Sequence, residues 1–160
     1  MALDPIRPTD DDARALARGI LADARHAALA VLHPATGQPH VSRIAIGRTP
    51  EGQPMTLISA LALHTAALRA NPAASLLLGD PPAKGDPLAF ARLTLTATAR
   101  FVDRAAPGHA ALRAHYLASH PKSKLYADFA DFSFVTFEVT EAALNGGFGK
   151  AYNLTPVDLM

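Results

Sequence analysis

A regular alternation of apolar and polar residues over positions 89–102 constrains the fold of this chain more than any other feature. One face of this stretch, AFARLTLTATARFV, carries Leu93, Leu95, Ala97 and Ala99. The opposite face carries Arg92, Thr94, Thr96, Thr98 and Arg100. Successive side chains of a β-strand point to opposite faces, so the pattern predicts a long strand with one buried and one exposed face.

Shorter segments on both sides predict further strands joined by tight turns. These segments are 40–48, 55–59, 74–78 and 132–139. Residues 26–33 could extend a preceding helix, but the apolar run before the turn PATGQP favours a strand. Most connections are too short for a crossover helix, which favours an antiparallel sheet over a parallel α/β one.

Helices are predicted at the periphery of this sheet. Thr9 or Asp10 caps the first, which runs to about residue 25, and two more cover 63–70 and 105–119. The tail, from the Gly-rich GGFG onward, has no regular period. We therefore expect a single domain over 1–160 of mainly β (α+β) class, built as an antiparallel barrel with peripheral helices.

Composition narrows the classes of function. The 160 residues carry a net charge of +1 and no long basic run, so electrostatics gives little reason to expect nucleic-acid binding. The absence of cysteine excludes disulfides, thiolate metal sites and cysteine nucleophiles. No apolar run reaches the roughly 18 residues of a membrane span, and the acidic, polar start is unlike a signal peptide. We expect a cytoplasmic protein with no membrane contact.

Polar side chains collect where the strand at 40–48, the strand at 55–59 and the helix at 63–70 are expected to meet. They are Ser42, Arg43, Arg48, Ser59, His64 and Thr65. Hydroxyl groups, guanidinium groups and free helix N–H groups are what a bound phosphate requires. The same residues could instead be exposed strand charges and ordinary helix-start residues. The cluster therefore predicts a phosphorylated ligand, with that plainer alternative open.

Other kinds of site find little support in the sequence. The spacing of His109, His115 and His120 puts these side chains on different faces of a helix, so no metal site is expected. The chain has no G-x-S-x-G nucleophile turn, and its GGFG segment opens no helix as a dinucleotide-binding loop would. No catalytic residue can be assigned.

Four blocks, in order, resemble a known family. They are PHVSRIAIG, LISALALHTAALRANPAASLLL, KGDPLAFARLTLTATARFV and LNGGFGKAY. Together they are similar to the pyridoxamine 5′-phosphate oxidase-related FMN-binding split barrels, and most of all to the branch of HugZ-type haem-degrading proteins. The resemblance covers residues 15–155.

The resemblance implies a six-stranded split barrel and a homodimer with FMN at the subunit interface. Arg43 matches the strand arginine that holds the flavin phosphate, and Arg92 matches a polar residue that reaches the flavin, although it could merely shield a strand edge. The remaining implied FMN-binding residues are Arg48, Ser59, His64 and Thr65. The apolar face for the dimer is expected from the 89–102 strand and the FSFVTF strand.

Two departures from the family limit what this chain is expected to do. The sequence stops at Met160, so we expect it to lack the C-terminal domain of the haem-degrading members and any haem ligand there. It also has no Trp and no Arg after Arg113, where the oxidases hold their vitamin substrate. Efficient oxidation of pyridoxamine 5′-phosphate is therefore not expected.

Two functional hypotheses remain open. The first is an FMN-dependent oxidoreductase with an unknown small-molecule substrate. The second is a non-catalytic module that binds FMN or haem for storage or sensing, or a HugZ-like haem-degrading protein. Contributions from Lys84 and from an aromatic of the GGFGKAY tail, Phe148 or Tyr152, are also open.

Overall fold

The computed structural model describes residues 5–160, which form nine strands, three α-helices and three short 3-10 helices. The strands are β1 (Ile6–Arg7), β2 (His26–Leu32), β3 (Pro39–Ala45), β4 (Gly47–Arg48), β5 (Pro54–Ser59), β6 (Ala73–Leu78), β7 (Arg92–Phe101), β8 (Phe132–Asn145) and β9 (Ala151–Leu154). The α-helices are α1 (Asp11–Asp23), α2 (Leu63–Ala70) and α3 (His109–Ser119). The 3-10 helices are Pro87–Ala89, Pro121–Leu125 and Pro156–Leu159.

All nine strands belong to one mixed sheet. Its main path runs β1-β9-β8-β7-β6-β2-β3, and β5 pairs with β4 and with β8. Every pairing is antiparallel except that of β1 with β9. The hydrogen-bonded ladder does not close into a barrel, because among the described strands β3 pairs only with β2. The mainly β prediction is confirmed, whereas the sheet has more strands than the predicted six and is not wholly antiparallel.

The predicted strand at 40–48 is divided in two at Ile46. Residues before it pair with β2, and Gly47 and Arg48 after it pair with β5. Ile46 is buried, and its N–H donates to the carbonyl of Arg25 at 3.0 Å. Ile46 thus links β3 to β4 through the chain itself, although β3 and β5 share no backbone pairing.

The capping residue and the acidic first turn of the first helix were predicted correctly from the sequence. The side chain of Asp10 accepts a hydrogen bond from the N–H of Ala13, and two acidic residues occupy the first turn. The helix ends at Asp23, and β2 begins at His26, which settles the open choice for residues 26–33 in favour of a strand. The helix at 63–70 has the predicted bounds, and the third helix begins four residues later than predicted, at His109.

The alternating strand forms the centre of the core, as predicted. Leu93 and Leu95 are fully buried, and Ala97 and Ala99 are 4% exposed. Its neighbour β8 runs to Asn145 rather than ending at residue 139, since it first pairs with β5 and then with β9. The tail that had no periodic signal supplies β9, which gains its order from that pairing rather than from its own sequence.

A second, smaller core lies beneath α3. It contains Met55, Leu57, Tyr116, Ala127 and Phe134. Burial is the main reason that the pKa of the Tyr116 hydroxyl is raised above its ordinary value. A Cβ atom on Gly47 would lie 3.1 Å from the Tyr116 ring, so the glycine permits the close approach of β4 to α3.

Two kinds of feature are absent from residues 5–160. No helix there is long and apolar enough to cross a membrane. No group of three or more metal-ligating His, Asp or Glu side chains occurs in the same range.

Candidate cofactor site

A gap in the hydrogen-bonded ladder lies between β3 and β5. Two side-chain bonds span the region instead of a backbone ladder. The hydroxyl of Thr56 donates to the carbonyl of Ala45 at 2.6 Å, and the Ser42 hydroxyl lies 2.9 Å from Nδ1 of His64 at the start of α2. Several of the predicted binding residues therefore do gather here, around the gap.

His64 is the chemically most versatile group at this gap. Its side chain is half-buried, and its pKa is lowered, chiefly by desolvation and secondly by the nearby His40. Its Nδ1 is held by Ser42, while Nε2 has no hydrogen-bond partner within residues 5–160. When Nδ1–H donates to Ser42, the Nε2 lone pair stays open to a ligand or a metal ion. The imidazole is therefore held in one orientation with one free nitrogen, and its lowered pKa favours the neutral form.

Ser59 and Thr65 lie at the same junction, but their hydroxyls are already engaged. The Ser59 hydroxyl donates to Oδ2 of Asp131 at 2.7 Å and accepts from the N–H of Leu61 at 3.1 Å. Thr65 is 1% exposed and donates to the carbonyl of Ser59 at 2.6 Å. These bonds fasten the turn between β5 and α2. The sequence did not single out Asp131, whose carboxylate beside Ser59 opposes the approach of an anion.

Arg43 is exposed and has no hydrogen bond or ion pair within the described part of the chain. Along β3 the half-buried or buried residues are His40, Ser42 and Ile44, which alternate with exposed Val41 and Arg43. The alternation places Arg43 on the other face of the strand from Ser42. Because β3 is the last strand of the main path, Arg43 lies on the edge strand that borders the gap.

Arg48 lies apart from the other predicted residues. It is exposed on β4, beyond the bend at Ile46, and no partner for its guanidinium group is found among residues 5–160. It borders two cavities, and neither is lined by Arg43, Ser59, His64, Thr65 or Arg92. Neither cavity therefore joins Arg48 to the other predicted residues.

Arg92 opens β7 and is half-buried. Its Nη1 donates to the carbonyls of Leu88 at 3.2 Å and Phe90 at 3.3 Å, which ties down the KGDPLAF loop. Arg92 and Arg43 nevertheless belong to one outward face of the sheet. Neighbouring positions across that face, from β3 to β9, are Arg43, Ala28, Leu77, Thr94, Ala143 and Asn153.

This outward face, and not the predicted one, is the face that the protomer leaves uncovered. Leu93, Leu95, Phe134 and Phe137 of the expected dimer surface are buried in the protomer's own cores. On the outward face, Val41 is 62% exposed and Leu77 is 46% exposed. The apolar side chains of β7 pack into the core of the protomer, so they are not available for an interface.

The GGFG loop lies against the KGDPLAF loop. Gly147 has a φ of +107°, and a Cβ atom there would lie 2.7 Å from the carbonyl oxygen of Ala89. Phe148 is exposed at the tip of the loop, whereas Tyr152 is buried in the core. Of the two aromatic residues considered for covering a ring, only Phe148 has a free side chain. Lys84 is exposed in the neighbouring loop.

The sequence of this chain matches a known protein family. A model of the CREG β-barrel family matches residues 8–159. The chain belongs to this family. It is also 36% identical, over 72% of its length, to a chloroplastic non-canonical haem oxygenase of Arabidopsis thaliana. The chain spans about a third (34%) of the length of that plant protein.

Two solved structures extend the comparison. A haem-binding protein from Mycobacterium smegmatis is 32% identical, with a TM-score of 0.83, over 96% of this chain and 61% of that protein. A protein of the pyridoxinephosphate oxidase family from Clostridium acetobutylicum is 12% identical, with a TM-score of 0.68, over 95% of this chain and all of that one (100%). The second likeness shows that the fold is shared with the oxidase family, and the fold alone.

Proposed function

We propose that this protein binds haem beside the gap between β3 and β5, with His64 as the ligand of the iron. The observation that carries the proposal is the geometry of His64: its Nδ1 lies 2.9 Å from the Ser42 hydroxyl, and its Nε2 has no partner among residues 5–160. Burial also lowers the pKa of its imidazole, which favours the neutral form. Neutral imidazole is a common metal ligand, and a hydrogen bond at the other ring nitrogen orients it. Two of the relatives are named as haem proteins, which supports the same choice.

The surroundings of His64 suit a flat, largely apolar ring. Leu61 is 89% exposed, and Leu63 is also exposed, directly before the histidine. The free guanidinium of Arg43, at the neighbouring strand edge, can pair with a carboxylate of the ring. When bound, haem would supply redox chemistry through its iron. The chain's own residues would hold the ring and orient it, and we propose a HugZ-like haem-degrading activity as the reaction this could support.

FMN is the second candidate cofactor, with an FMN-dependent oxidoreductase as the corresponding function. The unpartnered guanidinium of Arg43 favours it, because a flavin phosphate needs charged donors. The predicted phosphate clamp also includes Ser59 and either His64 or Thr65, while Arg92 is predicted to reach the flavin. In the structure, however, the Ser59 and Thr65 hydroxyls are engaged and Asp131 adds a negative charge there. This arrangement suits a dianionic phosphate less well than it suits haem.

We propose that the cofactor is bound by a homodimer formed through the outward face of the sheet. The face combines small residues such as Ala28, Thr94 and Ala143 with the exposed Leu77 and Val41. Uncovered apolar surface of this kind favours association, and a twofold interface is the commonest form. Sedimentation should give a dimer at micromolar concentration, and a stable monomer near 16.8 kDa would contradict it.

Titration of the purified protein with haemin tests the cofactor proposal. The wild-type protein should give a saturable Soret band shifted from that of free haemin, and His64→Ala should lose that shifted band. His115→Ala is the matched control, because His115 is exposed and distant in the sequence from the gap. An unchanged Soret spectrum in a folded His64→Ala protein would overturn the assignment of the iron ligand.

A parallel titration with FMN, followed by flavin fluorescence, separates the two cofactors. Arg43→Gln should weaken whichever cofactor binds, by roughly 1.5–3 kcal/mol for a charged hydrogen bond. Tight FMN binding without haem binding would reverse the order of the two candidates. With either cofactor, turnover of pyridoxamine 5′-phosphate at the roughly 1–10 s⁻¹ typical of enzymes would contradict the expectation drawn from the tail.

A further inference from the structure

A crevice lies where β8 changes partners. Residues Phe132–Thr136 of β8 pair with β5, and residues Ala142–Asn145 pair with β9 on the same edge. Between them, residues 137–141 have no strand neighbour on that edge among residues 5–160. The opening is a cavity of about 480 Å³, within the range of small-molecule sites.

Apolar side chains from five parts of the chain make up most of the crevice wall. These parts are the turn between β4 and β5, the start of β5, α1, β8 and the last 3-10 helix, which contribute Leu21, Pro50, Pro54, Val139, Pro156 and Leu159. Leu21 is buried, while Pro50 and Val157 beside the wall are exposed, so the crevice is open to solvent on one side. An apolar chain entering it would exchange water for these side chains.

Arg48 is the cation of this wall. Its guanidinium has no hydrogen bond or ion pair inside the described chain, and the wall around it combines Glu51 and Glu138 with mainly apolar residues. A guanidinium group in such surroundings pairs well with a planar carboxylate, because two parallel N–H groups match its two oxygens.

Two carboxylates at the crevice decide which anions fit. Glu138 is already bound by Arg100, with Oε2 3.2 Å from both Nε and Nη2 of the arginine. Glu51, on the turn, is also part of the wall. These negative groups disfavour a phosphate dianion or a dicarboxylate more strongly than a single carboxylate, which the unpaired Arg48 can bind.

We propose that the crevice binds a small apolar monocarboxylate, whose charged end is held by Arg48 and whose chain packs between Leu21, Val139 and Leu159. The assignment gives Arg48 a ligand of its own, in place of the cofactor contact predicted from the sequence. It does not depend on the haem or FMN proposals, which rest on His64 and Arg43.

Calorimetric titration with hexanoate tests the proposal, with hexan-1-ol as the uncharged probe of similar length. Hexanoate should bind saturably, and hexan-1-ol should bind more weakly. Arg48→Gln should weaken hexanoate binding by about tenfold or more, the effect of losing a charged hydrogen bond. Amide NMR shifts at Leu21, Val139 and Leu159 should move with hexanoate in the wild-type protein.

Arg43→Gln is the matched control, since Arg43 is exposed and unpartnered but does not line the crevice. It should leave hexanoate affinity unchanged even if it weakens the cofactor. Circular dichroism verifies that each variant is folded. The proposal is overturned if hexanoate does not bind, if hexan-1-ol binds equally well, or if folded Arg48→Gln binds hexanoate as the wild type does.

Discussion

The β7–β8 ladder and the gap between β3 and β5 join parts of the same sheet by different means. The ladder pairs all ten residues of β7 with β8, and its inward side chains are buried. At the gap, individual side-chain bonds such as Thr56 to Ala45 and Ser42 to His64 replace the ladder. Pairing with β8 runs along the whole of β7, with one register shift between Thr96 and Ala97, while the gap keeps side-chain groups available for chemistry.

The difference teaches where stability and function are placed in this molecule. Burial of apolar area dominates the stability of a domain, and a hydrogen bond adds about 1 kcal/mol net. Substitutions in the ladder should therefore cost more stability than substitutions at the gap. Substitutions at the gap should change ligand binding at a smaller cost in stability.

The largest effect is expected from Leu95→Ala in the ladder. Leu95 is fully buried, between Leu76 on β6 and Ala142 on β8. Its truncation should lower the free energy of unfolding by about 2–5 kcal/mol, because a cavity remains in the core. Urea denaturation measures the change, with exposed Thr96→Ala as the control expected to stay within about 0.5 kcal/mol of wild type. If Leu95→Ala lowered the free energy of unfolding by no more than the control does, the central role of the ladder would be contradicted.

Thr56→Val should have an intermediate effect at the gap. Thr56 is fully buried, and the substitution keeps its shape while removing the donor to the Ala45 carbonyl. An acceptor left unpaired by such a change costs about 1–3 kcal/mol of stability. The same denaturation series measures it, with Thr94→Val on the outward face as the control. If Thr56→Val costs as much as Leu95→Ala, the proposed contrast between the two regions fails.

Ser42→Ala should cost still less stability but should alter the cofactor site. Loss of its bond to His64 removes about 0.5–1.5 kcal/mol of stability. Haem affinity should fall by about tenfold or more, since a group that orients a metal-binding histidine commonly contributes on that scale. Denaturation and haemin titration of one sample measure both. Equal haem affinity in wild type and Ser42→Ala would show that Ser42 does not position the ligand.

The smallest effect should come from Asp158, outside both regions. The Arg14 side chain lies 2.7 Å from its carboxylate, and Thr155 donates two further bonds, which lower its pKa from 3.8 to about 2. A lowered pKa in the folded state gives stability that is present above pH 3.8 and is lost as the pH falls through about 2. Asp158→Asn should thus lower the melting temperature slightly at pH 6. The difference should shrink below pH 4, and a difference that grew with acid would have the wrong sign.

The elements of the fold also differ in how well the sequence predicts them. The β7 strand, α1 and α2 carry periodicity and capping signals within their own residues, so their faces and most of their bounds were predicted correctly. The break at Ile46, the long second half of β8 and the strand β9 were not. They depend on pairing with strands distant in the sequence, which leaves no local pattern.

Some properties of the candidate site were likewise predicted from the sequence, and others were not. Residue types alone singled out Arg43, Ser59, His64 and Thr65, because hydroxyls and cations near a helix start are visible in the sequence. The sequence could not show that Asp131, 72 residues away, engages the Ser59 hydroxyl. It also could not show that the bend at Ile46 carries Arg48 away to another cavity.

The sequence by itself determined that this chain forms a mainly β fold with a buried alternating strand and peripheral helices, because periodicity and turn chemistry act over a few residues. Only the tertiary structure decided where the ladder stays open, which hydroxyls are already bonded, and which face remains uncovered. Those properties depend on contacts between distant segments, where partners compete for the same hydrogen bond or the same place in the core.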